Sequence, residues 1–132
     1  MKRSYVSFVI FIIHSFILSI SFGQDKKLFI DKVILKEYIR SFNALDDELY
    51  SQCIPNSQAE QFLENNIPLF ECPDKQLEAT YYFRWWTYRK HIKRTSEGYV
   101  ITEFLPQVGW SGKFNTINCA VGHHFYEGRW LH

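Results

Sequence analysis

Eight consecutive residues, YYFRWWTY at 81–88, carry six aromatic side chains, and they lie inside a segment with helical spacing that opens at CPDK, 72–75. Asp74 is placed as the N-cap, its carboxylate able to accept a backbone N–H of the first turn, so a helix is expected from 75 to about 94. Leu77, Tyr81, Trp85, Tyr88 and Ile92 mark one apolar stripe, while Tyr82, Trp86 and Arg89 lie on another side. A helix with rings around so much of its circumference must be buried in a larger body or line a cavity. It is not expected as the outer helix of a minimal domain.

Upstream, residues 1–23 read as an export signal. Lys2 and Arg3 form a basic start, Val6 to Ile20 an apolar run, and Ser21-Phe22-Gly23 a cleavage site with small residues at the inspected positions. A retained anchor is the alternative, because the run is nearly long enough to span a bilayer of about 30 Å, but His14 and several serines interrupt it. The expected location is therefore exported, periplasmic or extracellular, with no stable membrane anchor after cleavage.

Losing Lys2 and Arg3 from 15 basic residues leaves 13 against 14 acidic ones. Phosphate neutralisation wants a clear basic excess, so no nucleic-acid partner is expected. Cys53, Cys72 and Cys119 are an odd set. A Cys53–Cys72 bridge would contribute about 3 kcal/mol in the chain-entropy model, and three free thiols are the alternative.

The 24–132 segment supports a mainly α reading. Leu28, Leu35, Ile39 and Phe42 recur at helical spacing across 28–45, and Ser57 with Glu60 forms the S-x-x-E pattern of a capping box for a shorter second helix toward Phe70. The basic run RKHIKR, 89–94, suits a helix C-terminus, with a polyanion-binding patch as the rival reading. Glu97-Gly98 turns the chain into YVITEFLP, giving short extended segments around 99–105.

The C-terminal half combines aromatic faces with hydrogen-bonding groups, the materials of a sugar pocket: Trp85, Trp86, Glu103, Trp110, Asn115, His123, His124, Glu127, Arg129 and Trp130. Core packing is the bland alternative for Trp85 and Trp86. Glycoside hydrolysis needs two carboxyl groups, and Glu103 and Glu127 are weak candidates, each equally able to hold a hydroxyl or pair with Arg84 or Arg129. HHFYE lacks the H-E-x-x-H order, and Gly122 and Gly128 argue against a regular helix there, so no metal is expected. No cofactor motif is present. Ser111 is not in a nucleophile elbow, and Cys119 with His123 makes only a weak thiol signature.

Five motifs in order, E-F-L-P, G-W-x-G, N-T-I, G-H-H and E-G-R-W-L, together with YYFRWWTYRKHI, resemble the opening of exported glycoside hydrolases of the mannosylglycerate-hydrolase-like group, related to trehalase-like six-hairpin glycosidases. The likeness covers 80–132 well and 24–79 loosely. It implies an (α/α)6 toroid with a sugar cavity at one end and inverting hydrolysis by a carboxyl pair. Such a toroid needs about a dozen helices and roughly three are legible, so 24–132 is expected to be its N-terminal part, partnered by the remainder of the barrel. The resemblance places the catalytic pair mostly in later segments and makes Glu103, Trp110, His123, His124, Glu127, Arg129 and Trp130 pocket or pocket-wall positions for a carbohydrate. The alternatives are an exported, non-catalytic carbohydrate-binding module and a small hydrolase acting through Glu103 and Glu127.

Overall fold

The computed structural model describes residues 30–132, so the expected signal segment 1–23 lies outside the described residues. Helix α1, Lys32–Ala44, begins where Asp31 accepts the Val33 N–H at 2.9 Å and buries Leu35 and Ile39. A 3-10 turn at Asn56–Gln58 leads into α2, Ala59–Asn66, and α3 spans Lys75–His91. Strands β1, Ile92–Thr95, and β2, Gly98–Ile101, form an antiparallel hairpin, and α4, Asn118–Gly128, closes the order. The described chain is mainly α, and none of its helices is long and apolar enough to cross a membrane.

Asp74 caps α3 as expected, accepting from Gln76 N at 2.9 Å and Leu77 N at 3.1 Å. The helix stops at His91, not near 94, because the backbone of 92–95 pairs with 98–101 in the register Ile92↔Ile101 to Thr95↔Gly98. The extended segment accordingly starts earlier than its sequence-predicted range of 99–105. Gly98, at φ 128°, supplies the turn a conformation that residues with a side chain rarely adopt.

The Ser57–Glu60 capping box does not form: Gln58 occupies the N-cap of α2 and makes no side-chain cap bond. Asn56 starts the turn instead, because its backbone N–H donates to Glu48 Oε1 at 2.6 Å and its amide donates to Asp46 Oδ2 at 2.7 Å. Arg89, fully buried, donates to Gln52, the Ile54 carbonyl and Asn56, anchoring the same loop from α3. Burial pulls its guanidinium down to about 10, with the nearby carboxylates of Glu48 and Asp46 opposing. Lys90 pairs with Asp46 at 2.7 Å. Two of the cations in the RKHIKR run therefore hold the loop over the core.

The rings of α3 find most of their cover within the chain, contrary to the expectation that a larger body is required. Tyr82, Trp85, Trp86 and Tyr88 are all buried, although Leu77 and Phe83 are exposed. On one side, α1 brings Tyr38 to 5.3 Å from Tyr82 and Phe42 to 5.8 Å from Trp86. On another, the segment after α2 sets Phe70 4.8 Å from Tyr81, while the Pro68 and Phe70 carbonyls accept the Tyr81 and Tyr82 hydroxyls. Buried phenols with hydroxyl partners satisfy both halves of the side chain. Cys53, Cys72 and Cys119 are free thiols, which decides against the bridge.

The sequence-based doubt about a helix around 122–128 is overturned. Gly122 lies on the open side of α4, and Gly128 ends it where a smaller residue is required. The Tyr88 hydroxyl donates to the His124 carbonyl at 2.9 Å and lies so close to Gly128 that a Cβ there would overlap it. That approach fixes α4 against α3.

Candidate functional site

Arg84, Thr87, Tyr88 and His91 recur at helical spacing along α3 and form one wall of a cavity of about 270 Å³. Ile101, Thr102 and Glu103, at and just beyond the end of β2, form a second wall, and His123, His124 and Glu127 of α4 a third. Four sequence-predicted positions, Glu103, His123, His124 and Glu127, are thus brought together by two separate elements, the segment beyond β2 and α4.

Glu103 is the unusual member. Both of its carboxylate oxygens are buried and neither has a hydrogen-bond partner within the chain. His124 Nε2 stands 3.4 Å from Glu103 Oε1, within ion-pair range but outside the alignment of a hydrogen bond. A buried carboxylate left without hydrogen-bond donors is costly. Glu127 is committed instead: Arg84 Nη2 lies 2.9 Å and 2.8 Å from its two oxygens, a pair linking α3 to α4.

His91 lies below, its Nδ1 2.6 Å from the Thr102 carbonyl oxygen. With Nδ1–H donating there, Nε2 keeps a lone pair. Burial pushes the His91 pKa down, and the charges of His124, Lys93 and Lys90 add to this, while the Thr102 carbonyl opposes it. Because the folded value is depressed, the unfolded chain binds a proton more readily than the folded chain. The stabilising contribution is therefore complete above the ordinary imidazole value of about 6.5 and declines as the pH falls below it. Urea unfolding of the wild type should show a larger loss of stability between about pH 7.5 and about pH 5 than H91Q. Equal losses in the two proteins would remove this role.

The remaining candidates lie elsewhere. Trp85 and Trp86 are core residues, 6% and 4% exposed, and do not line the cavity. Trp110 is exposed and packs edge-on against Phe104 at 4.9 Å, while Arg129 lies over the Tyr126 and Trp130 rings at 5.3 and 5.2 Å on the surface. Asn115, at φ 58°, is a loop organiser: its amide donates to the Phe104 and Pro106 carbonyls, and its oxygen accepts from Val108 N and the Ser111 hydroxyl. Ser111 is thereby buried in scaffold bonding, and Cys119 does not line the cavity. Among the described residues no group of three or more His, Cys, Asp or Glu is arranged to hold a metal ion.

Thr87 and His91 were not singled out by sequence reasoning, and Arg84 entered only as a pairing partner for a glutamate. The 84, 87, 88, 91 spacing was the available signal, masked by the aromatic residues interleaved with it.

No family model and no curated protein matches the chain. A solved structure named "Sialidase" is similar to it at 52% sequence identity and a TM-score of 0.75, over 78% of this chain and 10% of that one. The chain thus spans about a tenth of the length of that protein. The likeness supports a relation to a glycosidase at that coarse level.

Proposed function

We propose that this chain is the N-terminal part of an exported, inverting glycoside hydrolase of the six-hairpin type and that the Glu103 cavity is one wall of its sugar site. The five linked motifs support the family, and the partial overlap with a far longer glycosidase supports the reading as a portion. The observation that carries the site is the Glu103 side chain, which lines the cavity and whose two buried carboxylate oxygens have no hydrogen-bond partner. Two oxygens of one carboxylate suit two neighbouring hydroxyls of a pyranose ring, and the imidazoles of His123 and His124 add further hydrogen-bonding groups at the rim. Export rests on the 1–23 leader, and the toroid and inversion on the family resemblance that the five motifs carry.

The substrate class follows from charge. A sialoside carries a carboxylate, which favours a free guanidinium. The cavity's one guanidinium, Arg84, already faces Glu127, so a neutral glycosyl unit fits the lining better. Similarity to a protein named "Sialidase" favours the sialoside, and a direct comparison separates the two.

Titration of the chain with neutral oligosaccharides and with a sialyl-oligosaccharide, followed by calorimetry, tests the site. Charge-assisted hydrogen bonds are each worth about 1.5–3 kcal/mol, so E103Q should weaken neutral-sugar binding by about tenfold or more. Undiminished binding by E103Q would refute the site, and preferential binding of the sialylated sugar that E103Q weakens would refute the neutral class.

A further inference from the structure

A second cavity, of about 390 Å³, lies between β1 and the loop 105–115 and shares no lining residue with the Glu103 cavity. Lys93, Arg94 and Lys113 line it, with Gln107 and the apolar side chains of Leu105 and Phe114. No aspartate or glutamate lines it, and none of the three cations belongs to a salt bridge among the described residues. Lys93 donates to the Ser51 carbonyl at 3.3 Å, which leaves it further N–H groups, and the Lys113 ammonium stands 4.7 Å from the Phe114 ring centroid. The nearest acid in sequence, Glu97, sits in the hairpin turn, where its carboxylate accepts from Ser96.

The loop that carries Lys113 is held in place before any ligand arrives. Asn115 ties its backbone at Phe104, Pro106 and Val108, and the Thr102 hydroxyl, just past the hairpin, donates to the Asn115 carbonyl and accepts from the Phe104 N–H. Three positive charges gathered at one concave place with no counter-charge repel one another, and a bound anion relieves that repulsion.

We infer that this cavity binds an anionic saccharide, a pyranose bearing a sulfate ester or a carboxylate. The cations hold the anionic group, the Phe114 ring offers an apolar face to the sugar, and the Gln107 amide reaches its hydroxyls. Nucleic acid is the poorer fit, because the cations are confined to one cavity in a chain of net charge +1.

The test uses the full chain and fluorescently labelled oligosaccharides: a sulfated one, a polyuronate and neutral dextran, with single-stranded DNA as a fourth probe. Anisotropy at about 50 and about 200 mM salt should show binding of at least one acidic saccharide that weakens as salt rises. Arg94 and Lys113 are exposed, so R94A/K113A should fold normally and lose about tenfold or more in affinity. R40A, which removes an exposed cation from α1, should bind as the wild type does. Equal binding of neutral dextran, tighter binding of DNA, or full affinity in R94A/K113A would each overturn the assignment.

Discussion

Trp86→Ala will destabilise the chain by about 4 kcal/mol, and thermal unfolding should show a drop in Tm of well over ten degrees, given roughly 4–8 °C per kcal/mol in a domain of this size. The indole is 4% exposed and is enclosed by Phe42 and by Phe83, whose ring stacks on it at 5.8 Å and 21°. Its Nε1–H donates to Asn43 Oδ1 at 2.8 Å, and the Lys90 ammonium and Arg89 guanidinium lie 4.7 and 5.2 Å from its ring centroid. Alanine leaves a cavity, removes the donor to Asn43 and strips the ring from two cations that hold the 46–56 loop. Trp130→Ala is the comparison: that ring is 57% exposed, and its removal should change stability by about 0.5 kcal/mol or less. Similar costs at the two positions would show that α3 is not the core of this fold.

Gly128→Ala should destabilise by about 2 kcal/mol, although alanine is the better helix former by about 1 kcal/mol. The new methyl group would occupy the space of the Tyr88 hydroxyl, which is buried and bonded to the His124 carbonyl. Burial, with the Glu127 carboxylate adding to it, pushes the Tyr88 pKa up to about 12, so the hydroxyl stays protonated and continues to donate. Tyr88→Phe removes the oxygen that the methyl group would meet. Y88F/G128A should therefore be more stable than G128A alone, a non-additivity that denaturant titration of the four proteins measures. Strict additivity would mean that α4 does not dock through this contact. Because His123, His124 and Glu127 reach the cavity from α4, G128A should also weaken sugar binding.

Much of this architecture was legible from local pattern. The periodicity of Leu35, Ile39 and Phe42 located α1, Asp74 announced the start of α3, and Glu97-Gly98 marked the hairpin turn. Tertiary contacts decided the rest. The Ser57–Glu60 box failed because the carboxylates of Asp46 and Glu48 capture Asn56 across the loop, a choice that spacing alone does not encode. Glycine lowered the expectation of α4, yet Gly128 is there because Tyr88 of α3 needs the space. Trp85 and Trp86 could be read as sugar-stacking rings or as core, and both are buried, Trp86 beside Phe42 of α1 and Trp85 edge-on to Tyr81 and Tyr88 of its own helix. Within the site, Glu103, His123, His124 and Glu127 were found by residue type, whereas the α3 wall of Arg84, Thr87 and His91 was hidden among the rings.

Carboxyl-carbon NMR of the chain labelled at glutamate side chains reads the sugar site at its key atom. Addition of a neutral oligosaccharide should shift the Glu103 carboxyl resonance progressively to saturation while leaving that of Glu78, buried away from this cavity's lining, in place. A Glu103 signal that stays still while the same sugar binds would contradict a sugar site built around that carboxylate.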